Sequence, residues 1–406
     1  MYHMQDNGIF VPFCETVIRR YPDVKALPPH NVMNPGLLHG EIHLTLTAKT
    51  PMMVCGGRYV REGDATVALF ATDTQGRYRI PGSSLRGLLR QNMQILGLGL
   101  IRAGQGGEIA DEPYVDGVHS PTEGLPDSYK IPEDQDFLDY PCSVMGFVGR
   151  MRTIIRNGKP KRINDCYRSR VSIGDLSAVG TPRQLRTVLL QQKLPDQDSD
   201  MFIAREGGTF RLKGFRQYPL RKVSESQPYD AKGGFRPLEA GTRFTGTIRY
   251  RNLHEGELGL LLWCLRLEEG CLHTMGMAKA AGYGQVELKI DSVVEYEPTR
   301  LYSALTSGGI RRDETDRRVG QLIDAYRSYT LRHTADLMKM PHIRTFLKLK
   351  GWVPAGEEAP VAAVPKPAAL SAKELRRKAK KEAKPQATAE ELSSWRAMLS
   401  GNFKGN

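Results

Sequence analysis

The stretch RIPGSSLRGLLR, residues 79–90, joins the end of a strand to the start of a helix. The residues up to Ile80 have the pattern of a strand, and the Pro-Gly pair that follows breaks it. Ser83 or Ser84 is then placed to cap a helix by accepting hydrogen bonds from its first N–H groups. The stretch therefore predicts a strand–turn–helix unit.

The predicted helix has an apolar stripe and a basic side. Arg86 and Arg90 lie four residues apart and share one side, and Gly87 lets another backbone approach closely. N–H groups, hydroxyls and guanidinium groups near one helix start form a site suited to phosphate, although the pattern also suits an ordinary unit with solvated arginines. The apolar stripe comprises Leu85, Leu88, Leu89, Met93 and Leu96.

The charge of the chain favours a polyanionic partner such as nucleic acid. The 406 residues have a formal net charge of +13, and residues 371–384 supply +5 of it with seven Lys or Arg and two Glu. The rest of the chain is therefore basic by itself. The longest apolar run, residues 258–267, is too short to span a bilayer, and the N-terminus lacks a secretory-signal pattern. We expect a cytoplasmic protein that does not enter a membrane.

Hydrophobic patterns predict an α+β fold with a ferredoxin-like (RRM-like) βαββαβ core, large insertions and a helical C-terminal extension. The first strand–helix unit has alternating Ile42, Leu44 and Leu46, followed by the helix after the Pro-Gly turn. The other core segments are sheet material at 170–191, a strand at 242–251, an apolar helix at 255–269 and a closing strand at 285–290. RNA-binding domains use this architecture.

Composition divides the whole chain into five parts. The expected division is an N-terminal arm (1–37), the core (38–300) with insertions at about 97–165 and 193–240, a helical appendage (301–353), an Ala/Pro/Lys-rich flexible linker (354–387) and a short amphipathic helix (388–406). The last helix either docks a partner or folds back on its own domain.

Two motifs together resemble the RAMP superfamily of CRISPR effector proteins. IPGSSLRG at 80–87 precedes one helix, and GMAKAAGYG at 276–284 precedes the closing strand. Four further segments fit this family in order: CSVMGFVGR (142–150), RSRVSIGDL (168–176), TRFTGTIRYRNLHEGELGLLLWCL (242–265) and HTMGMAKAAGYGQVEL (273–288). The resemblance covers about residues 40–292. It is strongest to backbone subunits of type III complexes, of the III-D kind, or of the derived type VII systems.

The resemblance implies a guide RNA (crRNA)-binding backbone subunit that is repeated along the guide of a multi-subunit RNA-targeting complex. Its partners would be guide RNA, complementary target RNA, copies of itself and other subunits, including a separate nuclease in the type VII reading. In this family a thumb, a hairpin that wedges into the guide–target duplex, flips bases at regular intervals. Residues 55–79 and 202–222 are both candidates for it.

The resemblance also implies which residues contact RNA. Ser83, Ser84, Arg86 and Arg90 would hold guide phosphates without reading bases. In the glycine-rich loop, Gly276, Gly282 and Gly284 allow close backbone approach, Lys279 meets phosphate, and Tyr283 either stacks on a base or packs in the core. Further phosphate candidates are Arg168, Arg170, Arg211, Lys213 and Arg216.

Catalysis is an open alternative. Many type III backbone subunits cut target RNA with an aspartate before the IPGSS turn, and Asp64 is the positional match, with Asp73 as second choice. Such a carboxylate acts as a base or holds a metal ion, and turn aspartates also serve their own backbone. We expect no tightly bound cofactor, with Mg²⁺ needed only for cleavage. A guide-processing endoribonuclease would instead use His39 or His43, and an RRM-like protein outside CRISPR is a third possibility.

The six cysteines are expected to be free thiols in a reducing compartment. Cys264, Cys271 and His273 lie close in sequence, and Cys142 and Cys166 flank an insertion. Without a CxxC pair, this spacing argues against zinc, and Cys264 fits a buried position in an apolar helix.

Overall fold

The computed structural model describes residues 9–99, 138–156, 158–189, 203–206, 209–223, 233–303, 310–312, 315–334 and 336–354. In chain order the strands are β1 (Ile9–Val11), β2 (Leu38–Ala48), β3 (Cys55–Glu62), β4 (Ala65–Phe70), β5 (Arg79–Ile80), β6 (Phe147–Arg156), β7 (Lys159–Tyr167), β8 (Val171–Ile173), β9 (Leu176–Ala178), β10 (Val188–Leu189), β11 (Ile203–Glu206), β12 (Thr209–Leu212), β13 (Phe215–Gln217), β14 (Gly233–Phe235), β15 (Arg243–Leu253), β16 (His273–Thr274), β17 (Gln285–Tyr296) and β18 (Ile310–Arg312). The α-helices are α1 (Gly82–Leu96), α2 (Tyr140–Met145), α3 (Glu255–Arg266), α4 (Pro298–Ser303), α5 (Thr315–Leu331) and α6 (Pro341–Leu349).

An antiparallel sheet forms the centre of the molecule. Its order is β16-β17-β2-β15-β9-β5, with β18 also on β17 and β8 also on β15. α1 connects β5 to the strands that follow it, and α3 connects β15 to β16. The predicted mixed α+β fold is confirmed. Among the described residues, none of the helices has the length and apolar character needed to cross a membrane.

The alternation in β2 gives this sheet one apolar face and one polar face. Ile42, Leu44 and Leu46 are each at most 1% exposed, and they join the main core. His43 and Thr45, which lie between them, are only half-buried. Because successive side chains of a strand point to opposite faces, one face is apolar and the other is polar.

Helix α3 is apolar on all sides because it lies between the sheet and α5. Its residues from Leu258 to Leu265 are all buried, and a Cβ on Gly259 would lie 2.0 Å from the Leu322 carbonyl oxygen of α5. Helix α5 lies within the predicted helical appendage (301–353) and buries Val319, Leu322, Ile323 and Tyr326. Leu331, its last residue, is 57% exposed.

Smaller sheets and hairpins project from this centre. The strands β10-β14-β4-β3 form a second sheet, β1 pairs with β13, and β6–β7 and β11–β12 are two-stranded hairpins. Of these elements, β6–β7, β11–β12, β13 and β14 lie in or beside the segments predicted as insertions, whereas β1, β3, β4 and β10 lie outside those segments. Residues 100–137 lie outside the described ranges. The linker beyond Pro354 and the C-terminal helix predicted at 388–406 also lie outside them.

Candidate nucleic-acid interface

The start of α1 is capped by a carboxylate from a distant part of the chain. Asp175, between β8 and β9, accepts a 2.8 Å hydrogen bond from the Gly82 N–H and pairs with Arg79. The prediction that Ser83 or Ser84 caps the helix is wrong, since both lie within its first turn and the capping residue makes no side-chain hydrogen bond. In the described part of the chain neither serine hydroxyl has a partner, so both remain available to a ligand.

The close approach predicted at Gly87 occurs at Gly82 instead. A Cβ on Gly82 would lie 2.3 Å from the Ile173 carbonyl oxygen, whereas a Cβ on Gly87 would meet nothing within 4 Å. The glycine of the Pro-Gly pair therefore lets the helix start pack against the end of β8.

Arg86 and Arg90 are held by backbone carbonyl groups at the end of α2. Arg86 donates to the Met145 carbonyl and, at 3.3 Å, to the Ser169 hydroxyl, while Arg90 donates twice at 3.0 Å to the Gly146 carbonyl. Burial and the like charge of Arg90 lower the pKa of Arg86, but a guanidinium stays protonated at neutral pH. Within the described ranges neither arginine faces a carboxylate. Two half-buried positive charges thus lie side by side on one helix face.

The β3–β4 hairpin presents an exposed aromatic ring between basic side chains. Tyr59 is 60% exposed, and Arg58 and Arg61 on either side of it are also exposed. Asp64 is exposed at the hairpin turn. An accessible ring beside guanidinium groups is the arrangement on which single-stranded bases stack. Sequence reasoning missed Tyr59, although an aromatic residue flanked by basic residues within GGRYVREGD is a usable signal.

A cleft of about 520 Å³ separates this hairpin from the start of α1. Asp73 lines it but serves its own turn, accepting 2.9 Å hydrogen bonds from the Gln75 and Arg77 N–H groups and pairing with the Arg77 side chain. The hydrogen bond from Arg77 holds the pKa of Asp73 below its ordinary value. Of the two candidate aspartates, only Asp64 is without such a structural role in the described region.

The glycine-rich loop packs against other parts of the same chain. Gly276, Gly282 and Gly284 have φ values of 87°, 86° and 71°. A Cβ at these positions would lie 2.1 Å from the Met53 carbonyl oxygen, 2.5 Å from that of Lys222 and 1.9 Å from that of Met275, in that order. The close approach predicted here is therefore between protein backbones.

Tyr283 and Lys279 belong to this internal packing. Tyr283 is 3% exposed and meets Phe235 edge-on at 5.3 Å, which corresponds to the packed alternative and leaves no face for a base. Lys279 donates to the Gly276 carbonyl at 2.7 Å, and burial lowers its pKa. These two side chains hold the loop shape.

Arg170 lies in the core and is not accessible to RNA in this conformation. It is 3% exposed and pairs with fully buried Glu257, donating at 2.8 Å to its Oε2 and also to its Oε1. It also donates to the Ser143 and Asn252 carbonyls at 2.8 and 2.6 Å. The phosphate role predicted for Arg170 is therefore replaced by a role in joining α2, β15 and α3.

The other predicted basic residues lie on separate elements. Arg168 is exposed beside the ring of His30 at the end of β7, and Lys213 is exposed after β12. Arg211 belongs to β12, whose side chains are not described, and Arg216 of β13 lies 5.5 Å from the Tyr218 ring. The structure thus brings Arg86 and Arg90 together and leaves the remaining candidates apart.

The two candidate histidines, and the histidine near Cys264 and Cys271, have structural partners. His39 is 1% exposed, with Nε2 2.8 Å from the Asn34 carbonyl and Nδ1 accepting from the Asn252 N–H at 3.2 Å. His43 is half-buried, 3.2 Å from the Thr247 hydroxyl. Buried His273 lies 2.8 Å from the Leu265 carbonyl, and burial lowers its pKa to about 4. No group of His, Cys, Asp and Glu placed to hold a metal ion occurs among the described residues.

The geometry defines a basic α+β protein whose α1 face and β3–β4 hairpin are suited to RNA. A family model of the RAMP superfamily matches residues 45–287, more than half of the chain, so the protein belongs to the RAMP superfamily. Membership of this superfamily supports a CRISPR-associated RNA-binding protein. No curated protein matches the sequence.

Proposed function

We propose that the chain is a guide RNA-binding backbone subunit of a multi-subunit CRISPR complex, repeated along the guide and presenting it for pairing with target RNA. Its ferredoxin-like core would be the βαββαβ unit of β2, α1, β8–β9, β15, α3 and β17, whose spatial order is β17-β2-β15-β9. Copies of the chain, other effector subunits and a separate nuclease would be its protein partners in the cytoplasm. Type III-D and type VII complexes both fit this proposal.

The pair of Arg86 and Arg90 carries the proposal. Each guanidinium is oriented by neutral carbonyl groups, so its positive charge is not cancelled by a carboxylate within the described ranges. The unused Ser83 and Ser84 hydroxyls lie on the same helix, one turn earlier. Such a surface binds phosphate without reading bases, as required of a protein that carries guides of any sequence.

The β3–β4 hairpin is the part we propose as the thumb. It carries the exposed Tyr59 together with Arg58 and Arg61, and it lies across the 520 Å³ cleft from α1. Hairpin β11–β12 was the other candidate, and β6–β7 is a longer hairpin that the sequence did not predict. The exposed Tyr59, Arg58 and Arg61 favour β3–β4.

Nuclease protection along a guide tests the proposal. The full chain is loaded with its operon partners on guide RNAs of two unrelated sequences, and the protected lengths are measured. We expect regular increments on both guides. Replacing Arg86 and Arg90 with Gln should weaken binding to both guides equally and reduce the salt slope by about 0.7 for each lost contact, whereas the paired Lys variant keeps most of that slope. Loss on one guide only would contradict phosphate recognition.

Target cleavage is the second candidate function, and it depends on Asp64. This carboxylate is exposed at a hairpin turn and has no partner within the described ranges. It is therefore free to contact a bound RNA. It would act on the ribose 2′-OH of a flipped nucleotide. The described side chains near it form no ligand set for Mg²⁺.

Regularly spaced cuts in labelled target RNA with Mg²⁺ would identify this activity. If Asp64 is the working carboxylate, the cuts disappear in Asp64→Asn and persist in Asp73→Asn, because Asp73 serves its own turn. Protection without cuts that depend on Asp64 leaves a scaffold that presents RNA to another subunit.

A further inference from the structure

A pocket of about 420 Å³ opens at the start of α3, on the helical side of the sheet. Its walls come from the segment between β1 and β2, from α2, from α3 and from α5, and its lining includes Arg20, Tyr140, Gly256, Tyr329 and Arg332. None of these residues belongs to the candidate interface at α1 and the β3–β4 hairpin. The pocket is therefore distinct from that interface.

Arg20 is a half-buried cation that forms no ion pair within the described ranges, although the carboxylate of Glu257, which is already paired with Arg170, attracts its charge. Its guanidinium carbon lies 4.8, 5.8 and 5.3 Å from the ring centroids of Tyr21, Tyr140 and Tyr329. Its Nε is buried without a hydrogen bond, and within the described ranges its guanidinium makes no ion pair. A guanidinium removed from water in this way gains from an anion placed against it.

Three further groups face the same space. Arg332 is exposed on the pocket wall, and its guanidinium has no carboxylate partner in the described part of the protein. Tyr140 is 1% exposed, yet its hydroxyl has no hydrogen bond there, and it lies 3.6 Å from where a Cβ of Gly256 would be. The N–H groups of Glu255 and Gly256 belong to the first turn of α3, where the helix dipole favours an anion.

The lining carboxylate offsets only part of this charge. Glu255 is 61% exposed in its side chain and lies 3.7 Å from Arg318, which also pairs with Glu295, so this one lining carboxylate faces two lining arginines. Two arginines, the hydroxyl of Tyr140 and a helix start therefore converge on one pocket, and the ring of Tyr329 is half-buried in its wall.

We propose that this pocket binds a nucleoside phosphate. The phosphate would lie between Arg20, Arg332 and the start of α3, within reach of the Tyr140 hydroxyl, and the base would contact the ring of Tyr329. The volume falls in the range of small-molecule sites. A free mononucleotide and the phosphorylated terminal nucleotide of an RNA share this chemistry. The site is separate from the guide-phosphate surface and does not depend on the proposed function.

Calorimetric titration of the full chain tests the site with AMP, adenosine, inorganic phosphate and a short RNA carrying either a 5′-phosphate or a 5′-hydroxyl. We expect AMP to bind at least tenfold more tightly than adenosine or phosphate. Arg20→Gln, Arg332→Gln and Tyr140→Phe should each weaken AMP binding tenfold or more, whereas Arg300→Gln, which removes an exposed charge elsewhere, should not. Tyr140→Phe keeps the buried ring, so it remains informative if Arg20→Gln does not fold.

Competition then distinguishes the two sources of the phosphate. Displacement of AMP by the 5′-phosphorylated RNA and not by the 5′-hydroxyl RNA identifies an RNA end as the ligand, and binding of AMP without such displacement identifies a free nucleotide. Either result supports the pocket. AMP affinity unchanged in all three variants, or no binding of any phosphorylated probe, would overturn it. Guide binding is measured in parallel, because loss of AMP binding with intact guide binding separates this site from the proposed function.

Discussion

At the scale of single residues, the same side-chain type serves opposite purposes in this protein. Arg170 is buried against Glu257, whereas Arg86 and Arg90 are oriented by carbonyl groups and keep their net charge. Tyr283 is in the core, whereas Tyr59 is exposed on a hairpin. Burial and the partner of each group, more than its residue type, decide which of them can contact RNA.

Tyr59 is expected to stack on RNA. Tyr59→Ala should weaken binding of single-stranded RNA by about 1–3 kcal/mol, roughly fivefold to a hundredfold or more, since one base–ring stack is worth that much. The melting temperature should not change, because the ring is 60% exposed and contributes little to the core. Fluorescence anisotropy with Tyr59→Phe, which keeps the ring, provides the control. Equal weakening by Phe and Ala would assign the effect to the hydroxyl.

At the scale of elements, close backbone contacts set the shape of the glycine-rich loop. Gly284→Ala should destabilise the fold by more than about 2 kcal/mol, because φ is 71° and a Cβ would lie 1.9 Å from the Met275 carbonyl oxygen. Gly87→Ala should stabilise it by up to about 1 kcal/mol, since a Cβ there would have no neighbour within 4 Å apart from the backbone of its own helix. Urea unfolding of the two variants measures both effects, and a similar sign for both would refute this account.

The buried ion pair holds three elements together at the start of α3. Burial alone would raise the pKa of Glu257, but the charge and hydrogen bonds of Arg170 outweigh it and keep that pKa below its ordinary value. The stability that this carboxylate contributes is therefore present above the unfolded pKa of about 4.5 and is lost as the pH falls through the lower folded pKa.

Glu257→Gln is expected to cost about 3–5 kcal/mol of unfolding free energy at neutral pH, because it leaves the Arg170 charge buried and unpaired. Glu255→Gln, two residues earlier in the same helix and 61% exposed in its side chain, should change stability by less than about 0.5 kcal/mol. Chemical denaturation compares the pair, and losses of equal size would show that the burial of Glu257 is not what matters.

Helices and strands with a clear hydrophobic periodicity could be predicted from the sequence. Contacts between residues that are far apart in the sequence could not. The alternation of β2 and the apolar faces of α1 and α3 each follow from a few neighbouring residues. Asp175 caps α1 across 93 residues, and Arg170 meets Glu257 across 87. A local pattern predicts Arg170 as a surface cation and Ser83 as a helix cap. It cannot show that a distant carboxylate, Glu257 or Asp175, will pair with the arginine or bind the helix start.

At the scale of the whole molecule, a buried lysine joins the helical appendage to the core. Lys350, at the end of α6, is 1% exposed and donates to the Thr274 hydroxyl at 3.0 Å, which joins the appendage to β16. Burial first, and the nearby charge of Lys279 second, lower the pKa of Lys350 to about 7. The protonation of Lys350 in the folded protein therefore responds to pH near neutrality.

The sign of the resulting pH dependence can be worked out. Between about pH 7 and 10.5 the unfolded chain keeps a proton on Lys350 that the folded chain has released, so the free energy of unfolding rises with pH by about 1.4 kcal/mol per unit. Lys350→Met should remove most of this rise and stabilise the protein at pH 7, whereas Lys339→Met, with a side chain 82% exposed, should leave the slope unchanged. Urea unfolding at several pH values measures the slope. A slope that survives in Lys350→Met would mean that Lys350 stays protonated when buried, and the appendage would then be held by an ammonium–hydroxyl contact and not by a neutral amine.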